Sequence, residues 1–347
     1  MANLTQFLLA LIIAISVTAA LTPLARRLAL KVGLVDVPNA RRINNVPMPT
    51  GGGMAIFAGF VAASLVGEIP HSTVTLLAAT LILLLGLVDD RYELSAGAKF
   101  LGQIVAVLIY VLWGPRIEFV SNPFGDMLYL GKLSIPLTML WILTLINIMN
   151  FIDGLDGLTV GITLISAIAL TTLAWNLGRY DAALLSVIVV GVSLGFLPYN
   201  FNPAKVYLGD GGAMLLGFLL AAVSTEGALK GAATIGLSVP ILILAVPVTD
   251  LFCAIVRRLQ LGVPIYQADR SHFHHRLLDL GFTQRQVVYV AYLLTSVSAT
   301  MAVVTAHRAK ATWIVALALG ALFWYGSIRV GMVKPIGRLS KGGDRDL

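Results

Sequence analysis

Long unbroken apolar runs constrain this chain more than any other feature. Stretches such as 74–88 and 235–248 carry almost no polar side chains. The chain is 58% hydrophobic and only 12% charged, against roughly a quarter charged in ordinary soluble domains. Such a chain cannot cover itself with a polar surface in water; lipid is the solvent that suits it. Backbone crossing a membrane must satisfy its own hydrogen bonds, so each run is expected to be a helix. A β-barrel would instead show segments of about 10 residues with alternating polarity. The runs here are longer and continuous.

A helix needs about 20 apolar residues to span a hydrocarbon core. The runs place eleven helices near 4–25, 51–68, 72–89, 98–113, 133–150, 158–177, 182–198, 208–225, 233–256, 286–306 and 311–331. The expected fold is an all-α polytopic membrane protein, a single transmembrane domain over residues 1–347. Residues 1–6 lack Lys and Arg, and the first run is too long for a signal-peptide core. It reads as a retained helix that enters from outside.

Lys and Arg collect in cytoplasmic loops. With the N-terminus outside and the C-terminus cytoplasmic, the inner loops hold 18 of the 24 Lys and Arg residues. The same bias accounts for the net charge of +7 without a nucleic-acid partner. Helix parity then puts the inner loops 26–50, 89–98, 147–157, 198–212 and 257–286 on one face, and these hold the polar clusters. Five polar segments converging on one membrane face read as a site. The lone cysteine, Cys253, excludes an internal disulfide and a cysteine metal site.

Asp89 and Asp90 close the apolar run 76–88. Two adjacent carboxylates at a membrane boundary are costly to desolvate, and acids at a helix C-terminus oppose its dipole. Charge coordination near phosphates explains them better than a solvated helix end does. Lys99 opens the next helix, where it either holds a phosphate or snorkels to the interface.

The segment from Asn147 through Asn150 and Asp153 to Asp156 alternates amide and carboxylate side chains with glycines. Hard oxygens of this kind suit Mg²⁺, which keeps several waters and bridges phosphates; an Asx-and-Gly turn is the bland alternative. Between Tyr199 and Gly212, Asp210 stands just before an apolar helix. It is either an N-cap or a carboxylate beside a phosphate at a helix N-terminus. Tyr207 either stacks on a base or anchors at the interface. In the longest inner loop, His272, His274, His275 and Arg276 crowd together with Asp269 and Arg270. Zinc fits poorly without cysteine or an H-E-x-x-H spacing; donors to a pyrophosphate fit better. The run from Pro49 to Gly53 admits either a close backbone approach to a ligand or a flexible loop. No soluble phosphate-binding loop of the G-x-x-x-x-G-K-[ST] kind is present.

In order, P-T-G-G-G, D-D, N-x-x-N-x-x-D-G-x-D-G-L, N-P-A-K-V-Y-L-G-D-G-G and S-H-x-H-H-R-L span about residues 20–290. This series resembles the polyprenyl-phosphate N-acetylhexosamine-1-phosphate transferases of glycosyltransferase family 4. The resemblance implies transfer of N-acetylglucosamine-1-phosphate from its UDP sugar to undecaprenyl phosphate, with UMP released. It implies a bacterial inner membrane, a cytoplasmic active site and the start of a cell-envelope glycan. A homodimer is implied by family likeness alone. The histidine loop resembles the N-acetylglucosamine branch. The phospho-N-acetylmuramoyl-pentapeptide branch usually has consecutive histidines followed by an acid and a lysine before P-T-x-G-G; Asn44 to Met48 contains none.

By the same resemblance, Asp210 and Asn150 would ligate Mg²⁺, with Mn²⁺ as the alternative ion. Asp89 and Asp90 would face the lipid phosphate as catalytic groups, and Lys99 would bind it. Asp153, Asp156, Asn200 and Tyr207 would line the nucleotide pocket. His272, His274, His275 and Arg276 would hold pyrophosphate and sugar. Direct attack by the lipid phosphate on the β-phosphorus is the expected route, with a covalent aspartyl-phosphate as the alternative. A proton-coupled transporter is the competing class, but transporters place charged groups near the midplane and often show repeats. CDP-alcohol phosphotransferases also pair D-G motifs, but their pattern departs from this one after Gly157.

Overall fold

The computed structural model describes residues 4–36, 47–69, 71–120, 128–228, 238–263 and 272–333. Among these, thirteen α-helices, one 3-10 turn at Gly131–Leu133 and two short ribbons follow one another. Helix α1 is Leu4–Val32, α2 Gly52–Gly67, α3 Ser72–Tyr92, α4 Ala96–Trp113, α5 Ser134–Ile152, α6 Leu158–Asn176 and α7 Tyr180–Asn200. Then come α8 Gly209–Ala228, α9 Ser238–Ile243, α10 Ala245–Leu261, α11 Phe273–Asp279, α12 Gln284–Thr305 and α13 Ala309–Arg329. The inner-loop stretches 37–46 and 264–271, with Arg41, Arg42, Asp269 and Arg270, lie outside the described residues.

The chain is a multi-pass membrane protein. Eight described helices are long and apolar enough to cross a membrane: α1, α3, α4, α5, α6, α7, α12 and α13. Their outward faces stay apolar, as lipid demands. On α4, Leu101, Val105, Leu108 and Leu112 are exposed, and on α13 Ile314, Leu317 and Leu322. The eleven expected runs are not eleven equal spans. Helix α2 has 16 residues. The run 233–256 is not one helix: α9 ends at Ile243 and α10 begins at Ala245. Pro247 explains the break. A proline lacks the N–H that would bond four residues back, and its ring clashes with that carbonyl, here Ile243's. Pro247 instead sits in the first turn of α10, where no intrahelical partner is lost.

Helix α8 is the axis of the bundle. From Ala213 to Ala222 every non-glycine side chain is buried, as a helix apolar all round should be. It packs against α2, α3, α5, α6 and α7. Glycines set the closest of these approaches. A β-carbon at Gly86 of α3 would lie 2.2 Å from Gly211 Cα, and one at Gly53 of α2 would lie 2.6 Å from Gly212 N. Without a hydrophobic drive between helices in lipid, such small-residue seams and the dispersion contacts they allow supply much of the association.

Two departures from an all-α reading are small. Val35–Asp36 (β1) pairs antiparallel with Met48–Pro49 (β2), and Phe119–Val120 (β3) with Leu128–Tyr129 (β4). Gly33, at φ +74°, stops α1 in a left-handed turn. The first ribbon then brings Thr50 back, its N–H 3.1 Å from the Leu34 carbonyl. The P-T-G-G-G segment docks on the loop before α8: Gly52 N donates to Tyr207 O at 3.0 Å and Gly53 N to Leu208 O at 3.1 Å.

Contacts of this kind bring the C-terminal ends of α1, α3, α5 and α7 together with the N-terminal ends of α2, α4, α6 and α8. Introduced at two exposed positions, Lys205→Cys and Lys132→Cys, a thiol is expected to react with an impermeant reagent from the inner side only and from the outer side only, respectively. Labelling of both from one side would refute the threading.

Candidate active site

Four of the expected residues meet around one ammonium. Lys99, in the first turn of α4, is 16% exposed and does not snorkel. Its Nζ lies 2.6 Å from Asp89 Oδ2, 2.5 Å from Asp210 Oδ2 and 2.9 Å from Asn150 Oδ1. An ammonium has three donors, and these three oxygens use them all. Asn150 turns its amide nitrogen to Asp210 Oδ1 at 3.0 Å. The centre thus joins the ends of α3, α4, α5 and α8. The Asp210 side chain keeps 40% of its surface open.

The paired acids at the end of α3 have a structural explanation that their position in the sequence hides. Asp90 caps a different helix: it accepts the N–H of Asp210 at 2.8 Å and of Gly211 at 3.4 Å. A carboxylate at a helix N-terminus is favourable, so α8 compensates what α3 loses. Asp89 accepts the N–H of Leu94, beyond the helix end, at 2.9 Å, besides pairing with Lys99. One reading of the Gly-rich turn put a phosphate on the N-terminus of α8. Its first amides are instead taken by Asp90.

Asp89, Asp90, Asp153, Asp156 and Asp210 all lie at this end of the bundle, with Lys99. Burial, reinforced by Asp210, Asp90 and Asp156, pushes the Asp153 carboxyl up to about 8.

Asn200 and Asp156 are committed to backbone. Asn200 is buried; its Oδ1 accepts Gly157 N at 3.1 Å and its Nδ2 donates to Val206 O at 3.2 Å. Asp156 Oδ2 accepts Asn202 Nδ2 and Ala204 N, both at 3.0 Å. These two side chains pin the loop before α8 to the D-G turn before α6. Tyr207 is half-buried in that loop, and its backbone carries the P-T-G-G-G contacts.

The histidines reach the same end. A β-carbon on Gly154 would lie 2.4 Å from His274 Nε2, so the ring rests against the glycine of the D-G turn. Burial, aided by His275, pushes the His274 imidazole down to about 3. The ring centroids of His272 and Phe151 are 6.2 Å apart, those of His274 and His275 4.3 Å. Arg276 lies 3.9 Å from Asp279 on its own helix.

Three residues not singled out from the sequence support this arrangement. Gln103 of α4, fully buried, accepts from Asn147 at 2.7 Å and donates to Met214 Sδ at 3.1 Å. Tyr292 of α12 donates to Gly157 O at 2.5 Å. Asp250 of α10 bonds His272 Nδ1 at 2.8 Å. Its signal was present in the sequence: a carboxylate inside an apolar run.

Among the described residues, no three His, Cys, Asp or Glu side chains converge as a metal cage. The oxygens of Asp210 and Asn150 are hard ligands, and Mg²⁺ binds through one or two carboxylates with phosphate and water completing its shell. A partly open carboxylate with an amide oxygen beside it fits that mode.

The family described as glycosyl transferase family 4 matches residues 72–228. The chain is 38% identical over 306 residues to a probable undecaprenyl-phosphate N-acetylglucosaminyl 1-phosphate transferase of Bacillus subtilis, covering 87% of this chain and 86% of that one. It is 37% identical over 307 residues to a decaprenyl-phosphate N-acetylglucosaminephosphotransferase of Mycobacterium tuberculosis, covering 79% and 76%. A third relative, the undecaprenyl-phosphate alpha-N-acetylglucosaminyl 1-phosphate transferase of Salmonella typhi, is 30% identical over 313 residues, covering 87% and 85%.

Asn200→Ala leaves a buried N–H and a buried carbonyl unpaired, a loss of about 1–3 kcal/mol; a lower unfolding midpoint in detergent is expected. Gly86→Val should force α3 off α8, costing about 1–3 kcal/mol by overpacking and displacing Asp90 from its cap. Activity is expected to fall further than stability, as parallel turnover and unfolding measurements would show.

Proposed function

Because this chain belongs to glycosyl transferase family 4, we propose that it transfers N-acetylglucosamine-1-phosphate from UDP-N-acetylglucosamine to undecaprenyl phosphate, releasing UMP, at the cytoplasmic face of a bacterial inner membrane. The observation that carries the proposal is the centre built on Lys99, Asp89, Asn150 and Asp210 at converging helix ends. Relatives covering most of the chain are named for N-acetylglucosamine and polyprenyl phosphates, which favours this substrate over the muramoyl-pentapeptide. Polar groups gathered at one end of the bundle, rather than at its middle, favour an enzyme over a carrier.

Asp210 and Asn150 would hold Mg²⁺ with the UDP pyrophosphate. When bound, the ion neutralises charge on the phosphoryl oxygens and the leaving UMP. The phosphate oxygen of the lipid attacks the β-phosphorus, and the bond from that phosphorus to the UMP oxygen breaks. A phosphate monoester has a second pKa of about 6 and is largely ionised before it attacks, so no strong base is required. Asp89 and Asp90 already hold Lys99 and the start of α8, and that engagement supports a positioning role over proton abstraction. Lys99 offers its charge to the lipid phosphate by exchanging a carboxylate partner for it. Asp153, Asp156, Asn200 and Tyr207 shape the nucleotide side, and the histidines with Arg276 meet the pyrophosphate and sugar.

Purified protein in detergent is expected to release UMP from UDP-N-acetylglucosamine and undecaprenyl phosphate, and none from UDP-N-acetylmuramoyl-pentapeptide. Chelation should abolish release, and Asp210→Asn should lower kcat about 100-fold or more. Release from the pentapeptide substrate alone would reverse the substrate assignment. No release from either, with folded protein, would reopen the carrier reading.

A further inference from the structure

Asp250 lies on α10, outside every motif discussed above, and is only 5% exposed. A carboxylate so enclosed is costly unless both oxygens find donors. Both do, and both donors belong to the start of the histidine loop. Oδ1 accepts the backbone N–H of Phe273 at 2.8 Å, and Oδ2 lies 2.8 Å from His272 Nδ1. An ionised carboxylate only accepts, so this contact requires the proton on Nδ1. The tautomer of His272 is thereby set by a residue from another helix.

The ring is also held on its faces. Phe151 stacks on it at 6.2 Å with a 29° tilt, and His274 at 6.0 Å with a 5° tilt. Phe151 follows Asn150 directly in sequence, and His274 rests on Gly154. Among the described residues, Nε2 of His272 has no hydrogen-bond partner. Among the described residues, one nitrogen is held by Asp250, two rings lie alongside, and the other nitrogen is left as an acceptor.

We infer that Asp250 is a positioning residue that sets the tautomer and orientation of His272, so that Nε2, left as an acceptor, receives a hydroxyl of the UDP-sugar's N-acetylglucosamine. The inference rests on the reading of the histidine loop as the part of the site that meets the sugar and its pyrophosphate. Carboxylates that orient a ligating imidazole are a recurrent device, and their loss typically costs about 10–100-fold.

Asp250→Asn is the informative variant. It keeps the volume and an oxygen for Phe273 N–H, but presents an amide N–H where Nδ1 needs an acceptor. The KM for UDP-N-acetylglucosamine is expected to rise about 10–100-fold, with the KM for undecaprenyl phosphate and the unfolding midpoint little changed. In a His272→Gln background the same substitution should add less than about threefold, because residues acting as one unit are not additive. Equal losses in both backgrounds, or equal rises in both KM values, would overturn the inference. If the unaltered enzyme fails to turn over UDP-N-acetylglucosamine, it is the functional reading that falls. The pair is then read from UDP-N-acetylglucosamine affinity by calorimetry, where the same non-additivity supports the inference and additivity overturns it.

Discussion

The ammonium of Lys99 is the contact on which the catalytic end depends. Three helix ends bring oxygens to it: α3 through Asp89, α5 through Asn150 and α8 through Asp210. Removing one partner of a buried ion pair costs more than the pair contributes, because the carboxylates left behind repel. Lys99 therefore holds together two carboxylates that would otherwise repel.

Around this centre the fold solves a solvent problem. Lipid faces demand apolar surface, so polar chemistry can stand only at the ends of helices, where loops meet water. Glycines at 53, 86, 211 and 212 let α2, α3 and α8 approach closely enough for Asp90 to reach across and cap α8. Packing and electrostatics are thus one device here. The seam brings the helices near, and the cap sets the register of Asp210 against Lys99.

Much of this was legible in the chain. Apolar runs are a direct record of the solvent, so helices were readable to within a few residues along most of the length. The parity of those helices grouped Asp89, Lys99, Asn150 and Asp210 before any coordinates did. What sequence reasoning could not separate was ligand-facing from scaffold-facing polarity. Asn200 and Asp156 read as pocket residues, and the structure adds that both tie neighbouring loops together. A polar side chain looks the same in a sequence whether its partner is a substrate or an amide fifty residues away. Asp250 escaped notice for the opposite reason, being a single acid within an apolar run.

By itself, the sequence determined the solvent, the helical class and the gathering of polar segments at one end, because hydrophobicity, period and helix parity are local properties that add along the chain. Only the tertiary structure decided which donor meets which acceptor. It put Asp90 on α8 instead of α3, Lys99 among three helix ends, Asp250 on His272, and a break before Ala245. Those pairings join residues up to 120 positions apart. They depend on distances of a few tenths of an ångström that only packed side chains can set.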